Sequence, residues 1–163
     1  PAEMKSVAAA LGKTVLRQTD KAALMANVAQ LRESCGDRAV LRALHFMAEN
    51  ERVATMLSAM KDNRTDDYFA GVLASGRSSF CYLQNVYTTV NVKEQGLSLA
   101  LCLCESLAVA AFRVHGGGFA GTIQAYVASD YLEQFRQAQD AVFGEGACRV
   151  LHIRTVGAVR LEE

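Results

Sequence analysis

The sequence has no tryptophan, a single proline and no excess of charge of either sign. Because 17 basic residues balance 17 acidic ones, we exclude a protein that binds nucleic acid through non-specific charge. No apolar run reaches the roughly 18 residues that a membrane-spanning helix requires, so we expect no membrane partner. The chain also lacks internal repeats, low-complexity segments and a linker, so we expect one domain over residues 1–163.

The five cysteines follow no regular spacing, and no Cys-x-x-Cys pair occurs among Cys35, Cys81, Cys102, Cys104 and Cys148. An odd number of unevenly spaced cysteines does not indicate a disulfide framework. We therefore expect buried reduced thiols and no metal site. Residues 1–5 lack the pattern of a signal peptide, and together with the thiols this favours a cytoplasmic protein.

Hydrophobic periodicity predicts helices in the first two thirds of the chain and strands later. The predicted helices are 2–11, 21–33, 37–60, 65–83, 94–107 and 130–142, and the predicted strands are 109–115, 122–127 and 148–153. A strand, a tight loop, a strand, a helix and a strand in this order indicate an α+β fold. We expect an antiparallel sheet with helices packed on one face, preceded by N-terminal helices.

Local signals mark several helix ends. Gly12 is suited to end the first helix, and Asp20 is suited to cap the second. Asp66 and Asp67 could act as an acid–base pair, but no histidine, cysteine or cationic partner lies at a suggestive spacing. We therefore expect these two carboxylates to cap the fourth helix.

The most distinctive feature is a glycine loop, Gly116-Gly117-Gly118-Phe119-Ala120-Gly121. Its glycine spacing fits the dinucleotide-binding fingerprint, but that fingerprint requires a helix after the loop, and residues 122–127 are strand-like. A tight β-hairpin with positive φ angles is one interpretation. Three consecutive glycines exceed this need, so we favour close approach of the backbone to another loop or a ligand. We expect a β-branched side chain at Gly117 to be strained.

Two further segments resemble phosphate-binding motifs. Gly12-Lys13-Thr14 matches the end of a phosphate loop, but Val7 occupies the position where the first glycine is needed. The segment 75–79, Ser-Gly-Arg-Ser-Ser, offers hydroxyls and a guanidinium to a phosphate. We favour the alternative that it is helical and that its small residues serve packing.

The order of these landmarks resembles a known family. Residues 115–122, His-Gly-Gly-Gly-Phe-Ala-Gly-Thr, resemble the third motif of the GHMP small-molecule kinases, usually Gly-Gly-Gly-Phe-Gly-Gly. Residues 42–45 and 49–53 resemble the galactokinase segment Arg-Ala-x-His-x-x-x-Glu-x-x-Arg. Residues 2–13 and 143–150 resemble the helix before that segment and the closing strand of the domain. This ordered set covers nearly the whole chain and is similar to galactokinases within the superfamily.

The resemblance implies the ferredoxin-like C-terminal domain of a kinase that transfers the γ-phosphoryl group of ATP to the anomeric hydroxyl of galactose or a similar sugar, with Mg²⁺. The family's sugar signature, its phosphate loop and its catalytic aspartate belong to an N-terminal half and do not occur in these 163 residues. We therefore expect no catalytic residue here, no ATP or Mg²⁺ bound to this chain alone, and no activity without that half. Exposed apolar surface and self-association of the isolated chain are further expectations.

The resemblance also implies which residues support the site. The glycine loop would pack against the phosphate loop and the bound sugar, through Gly116, Gly117, Gly118, Phe119, Ala120 and Gly121. This sequence departs from the family at Ala120, where glycine is usual, and in segments 75–79 and 84–92, which leaves the preferred sugar open. A non-catalytic sensor of sugar and ATP and a free-standing α+β interaction domain stay open as alternatives.

Overall fold

The protein is described by a computed structural model covering residues 1–107, 109–119, 121–153 and 155–157. It forms two compact units, residues 1–128 and residues 129–163. The elements of the first unit are α1 (Ala2–Ala10), a 3₁₀ turn (Leu16–Gln18), α2 (Lys21–Ala26), α3 (Val28–Cys35), α4 (Asp37–Lys61), α5 (Thr65–Ser78), a π-helical turn (Ser79–Leu83), α6 (Gly96–Ser106), β1 (Ala111–Val114) and β2 (Ile123–Tyr126). The second unit contains α7 (Leu132–Phe143). Among these helices none is both long and apolar enough to cross a lipid bilayer.

The core of the first unit lies where α1, α3 and α4 meet. These amphipathic helices turn their apolar stripes toward one another, as the periodicity of the sequence predicts. The buried side chains of this core are Val7, Ala8, Leu16, Leu24, Leu31, Ala39, Val40, Ala43 and Met47. Burial of this aliphatic surface fixes the base from which α4 and α5 extend toward the sheet.

The end of α1 confirms the prediction for Gly12. Its φ is 69°, its N–H donates to the carbonyl of Ala9 at 2.9 Å, and the N–H of Lys13 donates to the carbonyl of Ala8 at 2.8 Å. This pair of hydrogen bonds is the Schellman motif, in which a left-handed glycine ends a helix. The segment Gly12-Lys13-Thr14 therefore ends a helix, whereas a phosphate loop would begin one.

The prediction of a single helix over 21–33 is wrong at Asn27. Asp20 caps α2 as expected, since its carboxylate accepts a hydrogen bond from the N–H of Ala23 at 2.7 Å. The helix then stops because Asn27, with φ −110° and ψ 11°, leaves the helical region. Its side-chain amide donates to the carbonyl of Ala23 at 2.8 Å, a local bond that competes with helix continuation.

The start of α5 differs from the predicted cap. The residue before the helix is Arg64, and no side chain makes a capping hydrogen bond there. Asp66 and Asp67 instead lie in the first turn, where the helix dipole favours negative charge. The carboxylate of Asp67 is paired with the guanidinium of Arg64, so it is not available to the backbone N–H groups.

The predicted helix 65–83 is α-helical only as far as Ser78. A π-helical turn follows, and the N–H of Gln84 closes it by donating to the carbonyl of Ser79 at 2.8 Å. Gln84 has φ 56° and ψ 47°, in the left-handed region. This left-handed residue turns the chain toward the segment 85–95, which is irregular as expected for residues 84–92, while the predicted helix 94–107 begins only at Gly96.

The α+β class is confirmed by the antiparallel pair β1 and β2. Ala111 is opposite Tyr126, and Val114 is opposite Ile123. Both α5 and α6 contact β1, and α6 also contacts β2. Gly76 allows the approach of α5, because a Cβ there would lie 3.1 Å from the Cβ of Arg113 and 3.2 Å from the Phe112 carbonyl oxygen. Gly76 thus lets α5 pack on the sheet, in agreement with the packing role expected for the small residues of segment 75–79.

The third predicted strand, 148–153, is wrong. Within the described part of the second unit these residues adopt no strand, and Leu151 and Ile153 are 86% and 87% exposed. A strand is stable only when its N–H and C=O groups pair with a neighbour. Here the N–H of Cys148 donates to the carboxylate of Asp140 on α7 at 3.0 Å, so the segment is held at its start by a side chain.

Burial of the thiols follows the expectation only for Cys104. Cys35 and Cys148 are half-buried, while Cys81 and Cys102 are exposed. Cys102 and Cys104 are two positions apart on α6, so the two side chains lie on nearly opposite faces of that helix. The helical spacing of the sequence places Cys104 in register with Leu97, Leu101 and Leu107, and Cys104 is the buried thiol of the pair.

Candidate functional site

The glycine loop connects β1 to β2 and is closed by the N–H of His115, which donates to the carbonyl of Thr122 at 3.0 Å. Positive φ angles occur at Gly116 (64°), Gly118 (70°) and Gly121 (82°), and also at Phe119 (51°). The hairpin interpretation is therefore correct in its geometry. Ala120 lies outside the described residues.

Gly117 does not behave as expected. It has no positive φ, and a Cβ built on it would meet no atom within 4 Å. The expectation that a β-branched residue there would be strained by positive φ is therefore wrong. The position in this run that requires glycine is Gly118, one residue later.

Gly118 is the position where another backbone approaches the loop. A Cβ on Gly118 would lie 1.9 Å from the carbonyl oxygen of Asn85 and 2.9 Å from its carbonyl carbon. No real Cβ tolerates such contacts, and the obstacle is rigid backbone. The predicted close approach to another loop is thus confirmed, and the other loop is the segment that follows the π-helical turn.

Asn85 holds the loop through its main chain and its side chain. Its carbonyl accepts a hydrogen bond from the N–H of Phe119 at 3.2 Å, and its side-chain amide donates to the carbonyl of Gly117 at 3.1 Å. Asn85 is only 4% exposed. Sequence reasoning did not identify this residue, because its partners lie 32 residues or more away along the chain.

Asn85 is itself anchored to α4. The guanidinium of Arg42 donates through Nε to the carbonyl of Leu83 at 3.0 Å, two residues before Asn85. Arg42 and Arg38 also pair with the carboxylate of Glu3 on α1. Partial burial raises the pKa of Glu3, but the hydrogen bonds from both arginines outweigh it, so the pKa lies below its usual range. Ionised Glu3 therefore keeps Arg42 in place at neutral pH.

The residues that resemble the galactokinase segment join α4 to α5. His45 Nδ1 and Ser78 Oγ share a hydrogen bond of 2.9 Å, and Ser75 Oγ donates to the carboxylate of Glu49 at 2.6 Å. Glu49 also forms an ion pair with Arg52. Ser75 and Ser78 are buried and their hydroxyls are engaged between helices, so the phosphate-binding alternative for segment 75–79 is not supported.

This cluster is electropositive. Burial lowers the pKa of His45, and the charges of Arg52 and Arg113 lower it further. Burial also lowers the pKa of Arg113, and burial together with the Arg113 charge lowers that of Arg52. His45 is therefore neutral at physiological pH, and it serves as a hydrogen-bonding group in the interface of α4 and α5.

A chain of hydrogen bonds runs from the loop across the sheet. His115 Nδ1 and Gln124 Oε1 lie 3.0 Å apart, Gln124 Nε2 donates to the Tyr126 hydroxyl at 3.4 Å, and that hydroxyl lies 3.0 Å from the hydroxyl of Tyr68. Burial, reinforced by the hydrogen bond from Tyr68, raises the pKa of Tyr126 to about 12. The start of the glycine loop is thus tied through His115 to a polar network that reaches α5.

Residues 115–122 contain no lysine, arginine, aspartate or glutamate. The loop therefore offers backbone groups, a fixed shape and the side chain of Phe119, which is 64% exposed. Such a surface can pack against another backbone or a sugar, but residues 116–121 carry no side chain that could act as a general base, nucleophile or cation.

Comparison with known proteins supports the fold. No family model matches the chain, and no curated protein matches it. Among solved structures, it is similar to the crystal structure of Lactococcus lactis galactokinase complexed with galactose, with a TM-score of 0.70 and 23% sequence identity. The match covers 88% of this chain and 36% of the galactokinase chain, so the chain spans about a third of that protein's length. The chain has a galactokinase-like fold.

Proposed function

We propose that this chain is the C-terminal part of a cytoplasmic galactokinase-like kinase that phosphorylates galactose, or a similar sugar, at its anomeric hydroxyl. One observation carries the proposal: the glycine motif forms a hairpin loop pressed against Asn85, within a fold similar to that of a galactokinase. The ordered agreement of segments 42–45 and 49–53 with the family pattern supports it.

We propose that ATP and Mg²⁺ bind outside this chain. The glycine loop carries no cationic side chain for a triphosphate. Among the described residues no three His, Cys, Asp or Glu side chains come together as a metal site would require. We therefore assign ATP and Mg²⁺ to an N-terminal half that carries the family's phosphate loop and catalytic aspartate.

The contribution of this chain is to shape one wall of the cleft. Phosphoryl transfer depends on positioning and on stabilising charge, so a rigid wall matters even without chemical groups of its own. Gly118 keeps the loop close to Asn85, and the loop backbone is then available to pack against the phosphate loop and the sugar. We propose that Gly116, Gly117, Gly118, Phe119, Ala120 and Gly121 act in this supporting role.

We also propose that the N-terminal half covers exposed apolar surface of this chain. Val53, Leu57 and Met60 lie on one face of α4 and are 65%, 51% and 59% exposed. Their spacing of four and three residues makes them neighbours on the helix surface. The isolated chain should therefore self-associate and bind a dye specific for apolar surface. A strict monomer by light scattering, without dye binding, would contradict this.

The proposed function is tested by a coupled assay of ADP release on two proteins. The first is this chain alone, for which we expect no galactose-dependent turnover. The second is a chimera in which this chain replaces the aligned C-terminal part of Lactococcus lactis galactokinase, for which we expect galactose-dependent turnover. Circular dichroism and a cooperative thermal transition verify that the chimera is folded.

Two results would contradict the proposal. Turnover by the chain alone, sensitive to substitution within it, would show that catalytic residues lie in these 163 residues. A folded chimera that binds galactose and ATP without turnover would favour the sensor alternative.

A further inference from the structure

Asn85 contacts three consecutive residues of the glycine loop. It bonds to Gly117 through its side chain and to Phe119 through its main chain, and its carbonyl occupies the space that a Cβ on Gly118 would need. No charged group takes part in these contacts. The shape of the loop between β1 and β2 therefore depends on one buried residue outside the hairpin.

Contacts outside the glycine loop fix the position of Asn85. The π-helical turn is followed by Gln84 in the left-handed conformation, and the Nε of Arg42 donates to the carbonyl of Leu83, the last residue of the turn, at 3.0 Å. The main chain on the N-terminal side of Asn85 is thus bonded to α4. A residue fixed in this way can impose a conformation on the loop that it contacts.

The asparagine amide is used as a donor. Its Oδ1 atom is buried and has no hydrogen-bond partner, while its Nδ2 atom donates to Gly117. A buried acceptor without a partner is destabilising, because its lost hydration is not replaced. The side-chain contact of Asn85 with the loop is therefore made by its donor group alone.

We propose that Asn85 is a positioning residue that holds Gly117, Gly118 and Phe119 in the conformation required at the sugar-kinase cleft. This inference rests on the proposed function for the role of the loop, but the positioning itself is a property of this chain. A displaced loop would no longer pack against the phosphate loop and the sugar at the correct distance. Misplacement by about 1 Å can lower activity 100-fold.

Hydrogen exchange in the isolated chain tests the positioning without any activity. We expect Asn85→Ala to lower the protection of the Phe119 amide at least tenfold, because the loop loses its side-chain tie. The His115 amide, bonded to Thr122, serves as the internal reference and should change far less. Asn91→Ala is the matched control, since Asn91 is an exposed asparagine of the same segment. Unchanged protection of Phe119 in a folded Asn85→Ala chain would overturn the proposal.

Kinetics of the chimera test the functional consequence. We expect kcat/KM for galactose to fall at least tenfold in Asn85→Ala and to stay within twofold in Asn91→Ala. Asn85→Asp has the same size but lacks the donor when ionised, and its carboxylic acid regains a donor when protonated. The ratio of its kcat/KM to that of the unsubstituted chimera, at equal pH, should therefore rise as pH falls.

The two possible failures are distinguishable. An inactive parent chimera would count against the proposed function, whereas the exchange result at Phe119 would still decide the positioning. An active parent chimera with unaffected Asn85→Ala kinetics would overturn the role of Asn85 at the cleft.

Discussion

Substitution of Gly118 by alanine is the sharpest structural test at the glycine loop. The new Cβ would lie 1.9 Å from the carbonyl oxygen of Asn85, at a residue whose φ is 70°. Holding a non-glycine residue in the left-handed region costs about 1–2 kcal/mol. Forcing an extra methyl group against backbone costs about 1–3 kcal/mol more. If the loop instead moves away, it loses the bond between Phe119 and Asn85, which contributes about 1 kcal/mol.

Whichever response occurs, its cost adds to that of the left-handed conformation, so stability falls by at least about 2 kcal/mol in total, which for a chain of this length lowers Tm by at least about 4 °C. Gly117→Ala is the matched control, because a Cβ there meets no atom within 4 Å and no positive φ is needed. We expect its effect to stay within about 0.5 kcal/mol.

Differential scanning calorimetry of the unsubstituted chain, Gly118→Ala and Gly117→Ala measures the differences in Tm. The result that would refute the reasoning is an equal Tm for Gly118→Ala and Gly117→Ala. It would mean that Asn85 and the loop are not in contact in solution.

Two further predictions concern the interface of α4 and α5. The pKa of His45 in the folded chain is below the ordinary 6.5, so protonation of His45 favours the unfolded chain. The stability that neutral His45 contributes is therefore complete above pH 6.5. It is lost as the pH falls toward the folded-state pKa. Urea unfolding at about pH 7.5 and about pH 5.5 should show a smaller loss for His45→Gln than for the unsubstituted chain, and equal losses would contradict this. Ser75→Ala removes the 2.6 Å bond to Glu49 and should lower the free energy of unfolding by about 1–3 kcal/mol. A change below about 0.5 kcal/mol would show that water replaces the hydroxyl.

Local patterns in the sequence predicted the helices and the hairpin well. The long helix α4 was predicted to end at residue 60 and ends at Lys61, because its apolar residues recur with helical period over many turns. Gly12 and Asp20 were predicted correctly because caps depend on residues within a few positions. The hairpin followed from alternating strands on either side of glycines.

Other features depend on which of several possible partners a polar group bonds to, and hydrophobic periodicity does not predict that choice. The break at Asn27 arises when a side-chain amide bonds to the carbonyl of Ala23. Asp67 could equally cap a helix or pair with a cation, and in the structure Arg64 takes its carboxylate. The strand pattern of 148–153 indicates the ability to pair, but a strand forms only where a partner edge exists.

The candidate site was half predictable. The glycine run signalled a close approach, because it exceeds what a hairpin needs. The identity of the approaching residue depends on a contact between positions 85 and 118, which are distant in sequence and share no local pattern. The left-handed conformation at position 84, which places Asn85 against the loop, could not be predicted either. Glycine is the residue that usually adopts this conformation, and position 84 is a glutamine.

The central claim is that this chain completes a galactokinase-like sugar kinase, and its most direct test is phosphorus NMR of the product formed by the folded chimera from ATP and galactose. The account predicts the resonance of galactose 1-phosphate, at a level that Gly118→Val lowers and that the exposed control Asn91→Ala leaves unchanged. The absence of any sugar phosphate, or phosphate at a hydroxyl other than the anomeric one, would contradict the account.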